Sequence, residues 1–89
     1  MNINANLSET ALQRYGSSKQ LFKAVEEVSE YQVALIHFQD KKCNIKDVAE
    51  EMADVLITMK QMQLLVGISD EMLQRNIDYK EARLAGKLK

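Results

Sequence analysis

The chain has no proline and no tryptophan, one cysteine, one histidine and three glycines. Each shortage excludes something. Without proline, and with glycine only at positions 16, 67 and 86, long stretches run free of the residues that break helices. The lone cysteine, Cys43, leaves no intramolecular disulfide to form, and a reducing compartment suits it best. No run of 18 apolar residues exists to cross a membrane. The opening "MNINANLSET" lacks the basic and then apolar order of a secretion leader, so a cytoplasmic location is expected. Charge of one sign is missing as well. Twelve basic and 13 acidic residues give a net charge of −1, which offers no general attraction for nucleic acid. The one basic concentration is Arg83, Lys87 and Lys89, near the end of the sequence.

What is present reads as helix throughout. Ser8 is a candidate cap for a short helix reaching about Tyr15, closed by Gly16. Ser17 with Gln20 has the spacing of a capping box for a second helix reaching about Phe38. Leu21, Val25, Val28, Gln32 and Leu35 recur along that helix at its own period, so they are expected to form its packing seam. The polar break "QDKKCN" follows. Asn44 then caps a helix from Ile45 to about Val66, with Val48, Met52, Val55, Met59 and Val66 on one side and Gly67 as its stop. Ser69 or Asp70 opens a last helix carrying Leu73, Ile77 and Leu84. No stretch alternates with period two. Short connections favour antiparallel neighbours, so the expected fold is an all-α antiparallel bundle spanning residues 1–89 as one domain. A core of 89 residues is marginal alone, which makes completion by self-association a reasonable expectation.

The chain also writes one idea twice. "KAVEEVSEY" at 23–31 and "DVAEEMADV" at 47–55 superpose when Glu27 is aligned with Glu51. On a helical wheel Glu27 lies at the border of the apolar face, between Ala34, Phe38 and Tyr31, and Glu30 follows about 60° further round. Glu51 lies between Thr58 and Met62, and Asp54 again follows about 60° round. If the two long helices pack on these surfaces, Glu27, Glu30, Glu51 and Asp54 converge at the edge of their interface. Two carboxylates ~5 Å apart repel by roughly 3 kcal/mol at an effective dielectric of ~20, so convergence requires compensation. The remedies are raised pKa values, basic partners or a hard divalent cation. An all-oxygen donor set, with no cysteine and only His37 nearby, suits Mg²⁺ or Mn²⁺ rather than Zn²⁺.

Glu27-x-x-Glu30, a 20-residue spacer and Glu51-x-x-Asp54, set in "QLFKAVEEVSEYQVAL" and "VAEEMADVLITMKQM", resemble the all-α nucleoside triphosphate pyrophosphohydrolases of the MazG-like group. The likeness covers about residues 15–66 well and the last helix more loosely. It implies a Mg²⁺-dependent hydrolysis (with Mn²⁺ as substitute) of a common, deoxy or non-standard nucleoside triphosphate to the monophosphate and pyrophosphate. It further implies that Glu27, Glu30, Glu51 and Asp54 hold the metal. Glu30, the more polar-facing of its pair, is the candidate general base. On the last helix Asn76, Lys80 and Arg83 share one side and are candidates for the substrate phosphates, as in relatives. A homo-oligomer, dimer or tetramer, is implied too, with the nucleoside pocket lined by more than one protomer.

Other residues have plainer readings. Gln20 and Lys23 sit one turn apart, within reach of either substrate or solvent. His37 suits the helix C-terminal dipole. Cys43 reads as a free thiol in a loop, and Met52, Met59, Met62 and Met72 as core filler. Tyr15, Phe22, Tyr31, Phe38 and Tyr79 are unranked candidates for base stacking. The same pattern also suits a non-catalytic helical interaction module with a solvated acidic stripe, or a metal-binding regulatory relative of the family.

Overall fold

Four helices take up nearly the whole sequence. The computed structural model describes residues 1–89 and contains α1 (Ala5–Tyr15), α2 (Ser17–Gln39), α3 (Ile45–Val66) and α4 (Asp70–Lys87), with no strand. No helix is long and apolar enough to cross a membrane.

The helix ends show which local signals operate. At the start of α3 the Asn44 side chain accepts the Asp47 N–H at 3.0 Å, and the Asp47 carboxylate accepts the Asn44 N–H at 3.0 Å. This reciprocal pair satisfies two N–H groups that the helix cannot. Gly67 ends α3 in the left-handed region, at φ 86°, with its N–H donated to the Gln63 carbonyl. Ser69 caps α4 by accepting the Met72 N–H at 3.1 Å.

Two expected caps are corrected. The first helix begins a turn before Ser8, because Asn4 accepts the Leu7 N–H at 3.0 Å and Asn is as good a cap as Ser. Ser8 is instead buried inside α1, where a small side chain lets the helix lie against its neighbours. Ser17 forms no capping box either. Gly16, at φ 88° and ψ 158°, accepts the Gln20 N–H at its carbonyl and turns the chain directly from α1 into α2. That backbone region is essentially glycine's alone.

Helices α2 and α3 form an antiparallel hairpin, and α1 lies across both. The pairing is pinned far from the loop by a buried hydrogen bond, Gln20 Nε2 to Gln61 Oε1 at 2.6 Å. Helix α4 packs against none of the other three. Only its first residue is tied back, Asp70 accepting from Gln63 at 2.7 Å and from Lys60 at 3.3 Å. The expected four-helix bundle is therefore a three-helix unit with α4 standing apart.

The expected seam of α2 is not its contact with α3. Leu21, Val25 and Leu35 are all more than two-fifths exposed, and the face that closes on α3 carries Gln20, Ala24, Glu27 and Ala34. Small alanines permit close approach, while the larger apolar side chains look outward. Met52, Met59 and Met72, expected in the core, are likewise exposed, and Met62 is only half-buried. Only Ala24 and Ala34 are buried apolar residues, and no large side chain is fully enclosed. The accessible surface is 7130 Å², against roughly 5,300 Å² for a compact monomer of this mass. The radius of gyration is 15.3 Å, against roughly 12 Å for a compact chain of this length.

Asn44→Ala removes the side-chain acceptor of the Asp47 N–H and leaves the backbone N–H that the Asp47 carboxylate accepts. The expected result is a loss of about 1 kcal/mol, seen as a melting temperature roughly 4–8 °C lower by circular dichroism.

Candidate metal centre

The hairpin brings the two acidic motifs together. Carboxylate oxygens of Glu27, Glu51 and Asp54 lie within 4.8 Å of one another. Glu26, Glu27 and Glu30 form a second group meeting the same limit. The four carboxylates expected to converge, joined by Glu26, are therefore arranged as two triads sharing Glu27: an inner one spanning α2 and α3, and an outer one wholly on α2. Glu30 belongs to the outer triad, though Glu51 is near enough to affect its ionisation.

Burial separates the members. Glu27 is only 6% exposed, Glu51 is half-buried, and Glu26, Glu30 and Asp54 are exposed. One oxygen of Glu27, Oε1, receives the Lys23 ammonium at 3.0 Å. The other, Oε2, is buried without a partner, and so is Oε2 of Glu51. An unpaired buried carboxylate oxygen is costly, and two facing the same inter-helix seam are costlier. A hard divalent cation satisfies them through the donor type it prefers. The residues present thus fit such an ion.

The electrostatics agree. Glu30 is pushed above the usual glutamate range, first by the negative charge of Glu27, then by partial desolvation and by Glu51 and Glu26. Lys23 is raised by its bond to Glu27 and by the charges of Glu27 and Glu26. Thr58, buried beneath the second motif, donates its hydroxyl to the Asp54 and Val55 carbonyls at 3.0 and 2.9 Å, which anchors its own side chain a turn beyond Asp54. A recess of about 260 Å³ opens beside the inner triad, lined in part by Glu51, Glu50, Asp47, His37 and Cys43. Its Cys43 thiol is raised by burial and then by Asp47, and lies 3.5 Å from the Ala34 carbonyl. A protonated, hydrogen-bonded thiol fits the plain reading of Cys43.

The candidate phosphate residues are elsewhere. Asn76 donates its amide to the Met72 carbonyl at 2.8 Å, within its own helix. Lys80 and Arg83 lie over the Tyr79 ring, 5.9 and 6.0 Å from its centroid. Since α4 packs against no other helix, nothing within one chain brings this stripe to the acidic triads. Sequence reasoning overlooked Glu26 as a member of the cluster and Lys23 as its counter-ion. The signal was available in the i, i+4 spacing of Lys23 and Glu27. It left Gln20 open to substrate or solvent, whereas Gln20 is buried on Gln61.

Compared with known proteins, the chain matches no family model, no curated protein and no solved structure. Its chemistry therefore has to be argued from the site itself.

Glu30 holds its proton more tightly in the folded chain than in the unfolded one, so its ionisation opposes folding. Its contribution is least favourable above the raised folded value, and stability recovers as the pH falls through that value towards the ordinary glutamate range. In metal-free protein, the difference in melting temperature between wild type and Glu30→Gln is expected to be largest at neutral pH and to shrink on acidification. A pH-independent difference contradicts the assignment.

Proposed function

We propose that this chain is a Mg²⁺-dependent nucleoside triphosphate pyrophosphohydrolase of the MazG-like type, working as a homo-oligomer. The observation that carries the reading is the pair of unpartnered buried oxygens, Glu27 Oε2 and Glu51 Oε2, contributed by two helices to one seam. A folded chain gains nothing from leaving both unsatisfied, unless a cation completes them.

Glu27, Glu51 and Asp54 would hold the metal, with Glu30 available beside them. Bound there, Mg²⁺ would neutralise triphosphate charge and stabilise the charge that develops on the transferring phosphorus. Glu30, with its affinity for a proton raised by the neighbouring carboxylates, is suited to take a proton from the attacking water. The water oxygen then bonds to the α-phosphorus as the bond to the α–β bridging oxygen breaks. The products are nucleoside monophosphate and pyrophosphate. Lys80, Arg83 and Asn76 are suited to hold phosphate oxygens, and in this reading they are presented by the α4 of another copy.

The surface supports self-association. Roughly 1,800 Å² of surface beyond that of a compact monomer remains exposed, more than twice the roughly 800 Å² that each partner contributes to a standard interface. An open apolar groove of about 310 Å³, lined chiefly by Leu21, Ala24, Val25 and Val28 of α2 and Met59 and Met62 of α3, runs along the hairpin. Sedimentation equilibrium is expected to give a multiple of the 10.2 kDa chain mass. Val25→Asp, placing a charge in the groove, is expected to shift the equilibrium to smaller species with weaker helical signal. A monomeric wild type removes the oligomer from the proposal.

The exposed apolar faces equally favour a second reading, a helical assembly module or a metal-binding regulator without turnover. Pyrophosphate release from a panel of common, deoxy and modified triphosphates decides between them. The expected outcome is release with Mg²⁺, none with chelator, and a loss of at least about a hundredfold in Glu51→Gln. Orthophosphate release would break the family inference, and silence across the panel favours the second reading.

A further inference from the structure

The proposed centre leaves Lys23 without a role. Its ammonium lies 3.0 Å from Glu27 Oε1 and 3.5 Å from Glu26 Oε1. It therefore serves the outer triad from one turn back on the same helix. Glu27 is the hinge of the arrangement. It is more than nine-tenths buried, has one oxygen on a cation of the protein's own, and has the other oxygen unpartnered. The two triads are thus unequal, since the ammonium meets two members of the outer one, Glu26 and Glu27, and only the shared Glu27 of the inner one.

We propose that the centre is built for one divalent ion and one resident ammonium: Glu27, Glu51 and Asp54 take the divalent ion, while Lys23, paired with Glu26 and Glu27, guards the outer triad against a second. This rests on the metal-binding reading above and adds to it. Three carboxylates within little more than one turn of one helix would themselves attract a hard cation. Lys23 competes with that ion at no concentration cost, because the helix fixes its backbone one turn away. Its long, flexible stem lets the ammonium reach the carboxylates, yet the side chain stays half exposed and only ion pairs hold its head. The hold is accordingly displaceable. A second divalent ion would have to expel the ammonium, so its binding is weakened while that of the first is not.

The experiment counts ions, and activity plays no part in it. Mn²⁺ is titrated into the full-length chain without nucleotide, and free Mn²⁺ is followed by its electron paramagnetic resonance signal. Wild type is expected to bind one Mn²⁺ per chain over the range in which Lys23→Met binds two, the second at least about tenfold tighter than in wild type. Spin coupling between neighbouring ions is expected only in the variant. Lys23→Arg keeps a monocation on the triad and is expected to stay at one ion. Lys23→Gln repeats the test should Lys23→Met not fold, as judged by circular dichroism in chelator. Equal stoichiometry and affinity in wild type and the neutral variants overturn the role of Lys23 while leaving the metal centre in place. Failure of every chain to bind Mn²⁺ overturns the centre itself, and this proposal with it.

Discussion

The burial of Glu27 between two antiparallel helices is the constraint around which the rest is arranged. An ionised carboxylate is among the least tolerable groups to remove from water, and this one is 6% exposed. Its surroundings can be read as responses to that cost. Lys23 reaches one oxygen from a turn away. The flanking alanines, Ala24 and Ala34, bring α3 close enough for Glu51 and Asp54 to share the space. The Gln20–Gln61 bond fixes the register of the hairpin beyond the site, so the carboxylates meet at a set height rather than by sliding helices. A polar hydrogen bond in that position specifies one alignment, where a uniform apolar seam would tolerate several.

The same geometry explains why so little apolar surface is enclosed. A helix has one face to give to each neighbour. On α2 the face that meets α3 is spent on Gln20, Ala24, Glu27 and Ala34, so Leu21, Val25 and Leu35 are left pointing away. An ordinary small domain buries such side chains in its own core, because that burial is the chief favourable term in folding. Here the term is available only through contact with further surface.

Much of this was legible without coordinates, for identifiable reasons. Helix content followed from the missing proline and the 3.6-residue period, and the starts of α3 and α4 from Asn44 and Ser69, whose side chains act on their own backbone. The caps at Ser8 and Ser17 failed because a cap signal says where a helix can begin, not which of several starts tertiary contact selects. The pairing of Glu27 with Glu51 and Asp54 was visible because both motifs lie at the same phase on their helices. The outward turn of Leu21 and Val25 was not. Periodicity reveals that a helix has an apolar face, while which face meets a neighbouring helix is decided by packing.

The sequence alone therefore settled the class of structure and the two motif-bearing helices whose carboxylates meet. These depend on local backbone preferences and on repeated spacing, which act within a few residues. Tertiary structure alone decided that the four expected ligands and Glu26 divide into two triads on Glu27, that Lys23 meets two members of the outer one, and that α4 with Asn76, Lys80 and Arg83 stands clear of both. Those outcomes depend on which faces of separate helices meet. Close packing decides that, through the bulk of alanine against leucine and the reach of a lysine side chain.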